Sequence, residues 1–196
     1  MLKTTLAAAT AAALLTVAAP ALVAAAEIDA PVKELVDGQI RGWISDPTVV
    51  EAVKAQNAKN AALSQADIDA LDQQWRAETS AGSKPLIDAT LSNALSQYLK
   101  KLKDDSQGLY TEIFVMDAKG LNVGQSDVTS DYWQGDEDKW QQTYPVGPDA
   151  LLIGEVEQDE STQRFQTQVS LSVVDPANGA VIGAVTVGID VETLTQ

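Results

Sequence analysis

Hydrophobic residues recur at helical spacing between residues 27 and 106. The clearest stripe consists of Ile87, Leu91, Ala94, Leu95, Tyr98, Leu99 and Leu102. Residues spaced three, four and seven apart share one side of an α-helix, so this stripe predicts one long helix over residues 87–102. Asp46 before Pro47 predicts the N-cap and first position of an earlier helix. Ser64 with Asp67 predicts a variant capping box that begins another helix.

From Gly108 onward the hydrophobic period changes to that of a β-strand. Strands are predicted over residues 110–117, 121–124, 151–157, 165–173 and 180–189. Turn sequences at residues 117–120 and 175–179 join the first two and the last two strands into hairpins. The last strand is apolar on both faces, which favours a central position in the sheet. Short helices are predicted at residues 136–142 and 190–194. The pattern therefore predicts an α+β fold, with helices N-terminal to one five-stranded antiparallel sheet and the long helix across one face.

The first 26 residues have the composition of a secretory signal peptide. Lys3 gives a positive start, and residues 6–26 are apolar apart from Thr10 and Thr16. The run closes on three alanines, residues 24–26, a small-residue pattern that signal peptidase accepts. An uncleaved membrane anchor is the alternative, although alanine is only weakly lipophilic. We therefore expect cleavage after residue 26, and a periplasmic domain over residues 27–196 with a helical layer (27–105) followed by a sheet and pocket segment (106–196).

Composition narrows the classes of function. The chain has no Cys and no His, which excludes Cys and His nucleophiles, Ser-His-Asp triads and nearly every zinc site. Its formal net charge is −15, and loss of Lys3 with the signal peptide gives 12 − 28 = −16. Such a surface repels nucleic acid and anionic membranes. An enzyme would have to use carboxylates, Lys or Tyr alone. The favoured interpretation is a protein that is not an enzyme and has no cofactor, no metal and no nucleic-acid partner.

Three stretches of the second half carry a resemblance to a known family. They are residues 113–120 (IFVMDAKG), residues 130–133 (SDYW), and the closing hairpin at residues 173–179 (VVDPANG) and 182–190 (IGAVTVGID). In this order, they resemble the single Cache (extracytoplasmic PAS-like) sensor domains of bacteria. The resemblance covers residues 84–196 and implies a PAS-like five-stranded antiparallel sheet. The helical stretch before it is longer than the single N-terminal helix of most such domains.

The resemblance also implies a function and a class of partner. Most proteins of this family are membrane receptors in which the sensor domain lies between two spanning helices, and no second apolar stretch follows residue 26 here. We therefore expect a periplasmic small-molecule-binding module for signal transduction. Its expected partner is a separate membrane receptor, either a kinase, a cyclase or a chemoreceptor.

Residues 126–144 are expected to cover the ligand, because the resemblance places the ligand between the sheet and the segment after the first hairpin. This stretch concentrates aromatic and acidic side chains, which suit an organic cation or amine. The predicted ligand-binding residues are Asp127, Asp131, Tyr132, Trp133, Trp140, Tyr144 and Arg164. The alternative is that the aromatic residues only anchor an irregular loop.

The charge of the second half predicts the sign of the ligand. Residues 121–196 contain two cations, Lys139 and Arg164, against thirteen acids, a net charge of 2 − 13 = −11. A dicarboxylate would need clustered cations to offset its desolvation. An amine or amino acid is therefore the predicted ligand, with Arg164 available to receive one ligand carboxylate.

Three other functions remain open from the sequence. The acidic run Asp136-Glu137-Asp138 could hold a divalent cation, although three acids at a helix start more often complement the helix dipole. A carboxylate-based hydrolase could use pairs such as Asp127 and Asp131. A helical scaffold or interaction protein would need no small ligand.

Overall fold

The computed structural model describes residues 20–158 and 164–196, with side chains from Ile28 onward. Of the predicted signal peptide, residues 1–19 lie outside the described residues, and residues 20–26 begin the first helix. Within the described ranges, no helix is both long enough and apolar enough to cross a membrane.

Helices make up most of the chain before residue 106. They are α1 (Pro20–Leu35), a π-helical turn (Val36–Ile40), α2 (Arg41–Ile44), α3 (Pro47–Asn60), α4 (Gln65–Thr79), α5 (Pro85–Leu91) and α6 (Ala94–Asp105). Both predicted helix starts are confirmed. The Asp46 side chain accepts a hydrogen bond from the Thr48 amide at 2.7 Å, and Ser64 and Asp67 form a capping box at the start of α4.

The single long helix predicted over residues 87–102 is wrong, because the chain forms two helices there. Asn93 lies between α5 and α6 with an extended backbone, and its side chain caps α6 by accepting from the Ser96 amide at 2.8 Å. Asparagine side chains compete with helical hydrogen bonds in this way. The apolar stripe still faces the core, since Ile87, Leu95 and Leu99 are all buried.

The sheet is antiparallel, as predicted. Its strands are β1 (Tyr110–Met116), β2 (Asn122–Gln125), β3 (Leu151–Ile153), β4 (Glu157–Gln158), β5 (Phe165–Val174) and β6 (Val181–Asp190). The order is β2-β1-β6-β5-β3, and β4 also pairs with β5. The most apolar strand, β6, is central, and both predicted hairpins are present. Two short helices, α7 (Asp138–Gln141) and α8 (Val191–Leu194), lie in the regions predicted for them.

The strand predicted over residues 151–157 is interrupted, so the sheet has six strands where five were predicted. Ile153 pairs with Val169 and Glu157 with Gln166, so four steps along this segment match three along β5. One extra residue is therefore inserted opposite β5, as in a β-bulge. The insertion separates β3 from β4.

One face of the sheet is apolar and forms the main core. Its buried residues are Ile113, Val115, Val123, Val169, Leu171, Val173, Val185, Val187 and Ile189. Val32 from α1, Val53 from α3 and Leu99 from α6 belong to the same core. The N-terminal helices thus occupy this face, and the opposite face is left for residues 126–147, called the covering segment below.

Asp175 links the β5–β6 hairpin to helix α3. Its Oδ1 accepts from the Ala177 amide at 3.0 Å, and its Oδ2 lies 3.1 Å from Lys54 Nζ. The Ala177 amide and then the Lys54 ammonium hold the pKa of Asp175 below its ordinary value. A carboxyl group with a lowered pKa in the folded state stabilises the protein above about pH 4, the ordinary aspartate pKa. That stabilisation is lost as the pH falls through the lowered value.

We therefore expect Asp175→Asn to be less stable than the wild type at neutral pH, with a difference that shrinks below about pH 4. Urea unfolding at a series of pH values measures this difference. Asp149→Asn is a matched control, since Asp149 is exposed and makes no ion pair among the described residues. A wild-type advantage over Asp175→Asn that stays constant into the acid range would contradict the assigned role.

Candidate functional site

The second face of the sheet is mixed: Phe114, Met116 and Ala184 form an apolar cluster on it, and polar residues are buried beside them. Its buried polar residues are Asn122, Gln125, Ser170, Ser172 and Thr186. Ser170 and Thr186 share a hydrogen bond of 2.9 Å between their hydroxyls, and Ser172 donates to the Gly147 carbonyl at 2.7 Å. Burying polar groups on a sheet face costs free energy unless the groups are hydrogen-bonded. These hydrogen bonds offset that cost, and the bond from Ser172 ties the sheet to the covering segment.

Several polar atoms at this face lack partners. Thr111 Oγ1, Asn122 Oδ1 and Gln125 Nε2 are buried and form no hydrogen bond with the described residues. Buried polar atoms in folded proteins are nearly always paired, with the protein or with ordered water. The polar face therefore has hydrogen-bonding capacity that the described part of the chain does not use.

The aromatic residues of the covering segment form two separate pairs. Tyr132 stacks on Trp75 of α4 with ring centroids 5.2 Å apart, and Trp133 Nε1 donates to the Lys119 carbonyl at 2.8 Å. Trp140 stacks on Tyr144 at 5.0 Å. The Trp75–Tyr132 pair packs between α4 and the β1–β2 hairpin, whereas the Trp140–Tyr144 pair packs on the sheet face. Burial raises the pKa of Tyr132 to about 12, which keeps its phenol neutral.

The charged residues predicted to bind ligand each have a partner in the protein. Asp131 is buried; its Oδ2 lies 3.1 Å from Arg76 Nη2, and its Oδ1 accepts from Gln134 Nε2. Asp127 lies 2.6 Å from Lys103 Nζ. These two carboxylates therefore hold the covering segment to α4 and α6.

Arg164 immediately precedes β5 and contacts residues at the end of β6 and in α8. Its Nε is 2.7 Å from Asp190 Oδ2, and its Nη2 donates to Asp190 Oδ1 at 2.9 Å and to Thr193 Oγ1 at 3.0 Å. The structure thus brings Asp131, Tyr132 and Trp133 together but does not join Asp127 or Arg164 to them.

Two adjoining cavities lie between α7 and the β3–β5 edge of the sheet, and we call them together the sheet cleft. Their volumes are about 390 Å³ and about 290 Å³. The residues that line both cavities are Lys139, Gly154, Glu155 and Gln168. The first cavity is also lined by Glu137, Asp138, Leu152, Ile153 and Ser170, and the second by Glu157 and Gln166. None of the seven predicted ligand-binding residues lines either cavity.

The cleft carries an excess of negative charge. Four carboxylates, from Glu137, Asp138, Glu155 and Glu157, face one cation, Lys139. Lys139 Nζ lies 2.7 Å from Glu137 Oε2 and 5.5 Å from the centroid of the Phe114 ring. Glu155 and Glu157 form no ion pair with the described residues. A ligand with positive charge is therefore favoured here over an anion.

Beside the cavities, Gly188 leaves space for the Glu112 side chain to extend over strand β6 towards β5. A Cβ at Gly188 would lie 2.2 Å from Thr111 Oγ1 and 3.0 Å from Glu112 Cγ, so both side chains occupy the space above this glycine. Glu112 Oε1 then accepts from Gln168 Nε2 at 2.7 Å, across the intervening strand β6. Since Gln168 lines both cavities, the Glu112 carboxylate is one hydrogen bond away from the cleft.

The sequence contained a signal for this site. Gln166, Gln168, Ser170 and Ser172 alternate with apolar residues along β5, which predicts a half-solvated face. The structure instead covers part of that face, and the cleft remains where the cover is incomplete. Residues of β1, β3 and β5 are distant in the sequence, and the order of the strands in the sheet brings them close to the cleft.

Two other features of the molecule are less suited to a charged ligand. A cavity of about 430 Å³ lies between α1, the π-helical turn and α8, and Glu34 is the one charged residue in its lining. In the described ranges, no group of three or more acidic residues is placed to hold a metal ion. The acidic run at residues 136–138 begins α7 and extends to the rim of the cleft.

Comparisons with known proteins found similarity only among solved structures. No family model matches, and no curated protein matches. The V. cholerae histidine kinase DctB sensor domain has a TM-score of 0.45, 13% identity, and 89% of this chain and 52% of that chain covered. The ligand-binding domain of the Pseudomonas aeruginosa PAO1 amino acid chemoreceptor PctC, in complex with GABA, has a TM-score of 0.40, 14% identity, and 89% and 60% covered.

A third similar structure is the ligand-binding domain of the Campylobacter jejuni chemoreceptor Tlp3 in complex with 4-methylisoleucine. Its TM-score is 0.39, with 14% identity, and 85% of this chain and 61% of that chain are covered. This chain therefore spans between 52% and 61% of the length of these three. TM-scores below 0.5 indicate only distant similarity between folds. These neighbours are sensor and ligand-binding domains of a kinase and of chemoreceptors. The strand order of this chain, β2-β1-β6-β5-β3, is that of a PAS-like sheet.

Proposed function

We propose that this protein is a periplasmic sensor module that binds a small amine or amino acid in the sheet cleft and acts with a separate membrane receptor. The observation that carries the proposal is the cleft itself: an open site beside the polar residues of β5, with more carboxylates than cations in its lining. Ligand sites are concave and contain a few convergent polar groups. The cleft has this form.

The polar face favours a binding module over a helical scaffold. A scaffold would need the sheet only as packing surface, and apolar side chains would supply that at lower cost. Here Gln166, Gln168 and Ser170 of β5 present polar groups to the cleft.

The covering segment supplies a rigid frame for the site. Asp72 Oδ1 accepts from the amides of Tyr132 and Trp133 at 2.9 and 3.0 Å, and Trp140 Nε1 donates to the Asp117 carbonyl at 3.1 Å. These contacts fix both aromatic pairs. In this proposal the aromatic residues hold the cover in place, and α7 presents Lys139 and the neighbouring acids to the ligand.

Export and the membrane partner are also parts of the proposal. Export is supported by the apolar N-terminal run and its closing alanines. A receptor partner is supported by the Cache resemblance, since most domains of that kind control a kinase, a cyclase or a chemoreceptor. In this scheme the ligand-bound form of the module is the state that the receptor recognises.

A thermal-shift screen of small metabolites tests the proposed function. We expect amines or amino acids to raise the melting temperature in a saturable way, and dicarboxylates to have no effect, because a ligand that binds only the folded state stabilises it. Gln168→Ala should abolish the shift, because Gln168 lines both cavities and orients Glu112.

Gln73→Ala is the matched control, since Gln73 is exposed on α4, away from the cleft. It should respond as the wild type does. A screen without any saturable stabiliser would refute the binding function. A stabiliser to which Gln168→Ala responds normally would place the site elsewhere.

A further inference from the structure

The turn between β5 and β6 contains an asparagine followed by a glycine, Asn178-Gly179. The chain has five asparagines, at positions 57, 60, 93, 122 and 178, and only the last of them precedes a glycine. In such a dipeptide the backbone nitrogen of the glycine can attack the side-chain carbonyl carbon of the asparagine, because glycine has no Cβ to obstruct the approach. Asparagine is one of the thermally labile residues of proteins, so this turn is a candidate site of deamidation.

The reacting atoms of this turn are open to water. Asn178 and Gly179 are both exposed. A Cβ built at Gly179 would meet no atom within 4 Å, so no other part of the described chain lies over that side of the glycine. The Asn178 Nδ2, which would leave as ammonia, forms no hydrogen bond with the described residues. Water can therefore reach both the attacking nitrogen and the leaving nitrogen.

The other four asparagines hold their side-chain nitrogens in tertiary hydrogen bonds. The pairs are Asn57 with the Ile182 carbonyl, Asn60 with Asp117, Asn93 with the Val123 carbonyl and Asn122 with Thr129. Each of these asparagines is also followed by alanine or valine, whose Cβ obstructs the attack. Of the five, Asn178 alone combines a following glycine with a leaving nitrogen that no protein group holds.

The conformation of the turn also assists the attack. Asn178 Oδ1 accepts a hydrogen bond from the Ala180 amide at 2.9 Å. Negative charge develops on this oxygen when a nitrogen adds to Cγ, and a positioned backbone N–H stabilises such an oxyanion. One contact opposes the reaction, since the Gly179 amide donates to the Asp175 carbonyl at 2.8 Å and must first leave it. The net strength of one such hydrogen bond slows the reaction by about two- to tenfold.

We propose that Asn178 deamidates spontaneously in the folded protein. The Gly179 N–H loses its proton to water or hydroxide, and the nitrogen then forms a bond to Asn178 Cγ. The Cγ–Nδ2 bond breaks, and the leaving nitrogen takes up a proton and departs as ammonia, which leaves a cyclic succinimide. Water adds to either ring carbonyl and breaks its bond to nitrogen, which gives aspartate or isoaspartate at position 178. Ammonia is thus exchanged for water, with no oxidation or reduction.

The isoaspartate product changes the length of the turn. Its main chain runs through Cβ and Cγ, so the turn gains one backbone atom. The turn is closed by two backbone hydrogen bonds of 2.8 Å, from the Gly179 amide to the Asp175 carbonyl and from the Asp175 amide to the Ala180 carbonyl. Asp175 also pairs with Lys54 of α3 at 3.1 Å. The longer backbone therefore loosens the end of the hairpin and its contact with α3.

Peptide mapping by mass spectrometry tests the proposal, on the whole chain aged at mildly alkaline pH with and without urea. We expect the mass change of deamidation, in which O replaces NH, at Asn178 of the folded protein, at a rate within about tenfold of that in urea. The asparagines at positions 57, 60, 93 and 122 should stay unchanged over the same time. If Asn178 reacts in urea and not in the folded protein, the proposal is wrong. No ligand is needed, so the test is independent of the proposed binding function.

Ala58→Gly is the matched control, because it places a glycine after a second asparagine, Asn57. Ala58 is exposed on α3, and Asn57 is held at both side-chain atoms: Nδ2 donates to the Ile182 carbonyl, and Oδ1 accepts from the Ala118 amide at 2.8 Å. In the folded variant, Asn57 should deamidate at least about tenfold more slowly than Asn178. Equal rates at the two positions would contradict the role given to the open turn.

Melting temperatures separate the effect of the longer backbone from that of the added charge. Asn178→Asp carries the charge on an unaltered backbone at an exposed position, so it should melt with the wild type. The isoaspartyl form, isolated by ion exchange from aged protein, should melt at a lower temperature than both. Equal melting temperatures of all three forms would contradict the loosening of the hairpin.

Discussion

Replacing Trp75 with alanine should lower the free energy of unfolding by about 3–5 kcal/mol, the range for truncating a buried aromatic residue. Trp75 has no exposed surface and is the largest fully buried side chain among the described residues. It stacks on Tyr132, and its Nε1 donates to the Thr129 carbonyl at 2.9 Å. The substitution therefore leaves a cavity under the covering segment and removes a hydrogen bond that anchors it.

Chemical denaturation of Trp75→Ala and Trp75→Phe separates these two contributions. Phenylalanine keeps an aromatic face for Tyr132 and loses the hydrogen bond, so its cost should be about 1–2 kcal/mol plus a smaller packing loss. We also expect hydrogen exchange to speed up at the amides of residues 129–134 in the alanine variant. A loss below about 1 kcal/mol for Trp75→Ala would contradict the claim that α4 holds the covering segment in place.

Gly183→Ala should be the second strongly destabilising change, with a loss of about 2–3 kcal/mol or more, as expected for overpacking. Gly183 lies on the central strand β6, and a Cβ there would be 2.2 Å from the Met116 carbonyl oxygen and 3.1 Å from Val53 Cγ1. The Met116 oxygen belongs to the paired backbone of β1 and cannot rotate away. The strands would have to separate, and α3 would have to move from the core.

Gly42→Ala is the matched control for this prediction. Gly42 lies in helix α2, and a Cβ there meets no atom within 4 Å. Alanine favours the helix over glycine, so this variant should be as stable as the wild type or more stable by about 0.5–1 kcal/mol. Melting temperatures of the two variants provide the comparison. Equal stability of Gly183→Ala and the wild type would contradict the close approach of β1 and β6.

Local chemistry explains which parts of the fold could be predicted from the sequence. The caps at Asp46 and Ser64 depend on neighbouring residues, and the strand pattern after Gly108 depends on alternation within each segment. Both were predictable for this reason. The break at Asn93 was hidden because α5 and α6 present apolar residues in nearly continuous helical register, and only the Asn93 side chain decides that a new helix begins.

The candidate site was less predictable because its contacts join distant residues. Arg76 reaches Asp131 across 55 positions, and Gln168 reaches Glu112 across 56. Residue types within one segment indicated an acidic, aromatic region, but they did not show which carboxylates already had partners. Asp127 and Asp131 are paired with Lys103 and Arg76, whereas the less conspicuous Glu155 makes no ion pair among the described residues.

The two parts of the covering segment, residues 126–147, contact different elements of the fold. The first part, around Tyr132, is fixed to α4, and the second part carries α7 over the polar face. Ligand binding between α7 and β5 would therefore change the packing of α7 on the sheet more than that of the Tyr132 cluster.

We propose that a small cationic ligand binds between α7 and the β3–β5 edge. The most direct test is a titration of ¹⁵N-labelled protein with the strongest stabilising amine, followed by ¹H–¹⁵N correlation spectra. We expect saturable shifts of the amides of Lys139, Gly154, Glu155 and Gln168, which line both cavities. Shifts confined to residues 31–39 and 193–194, around the cavity between α1 and α8, or to residues 131–133, would contradict it.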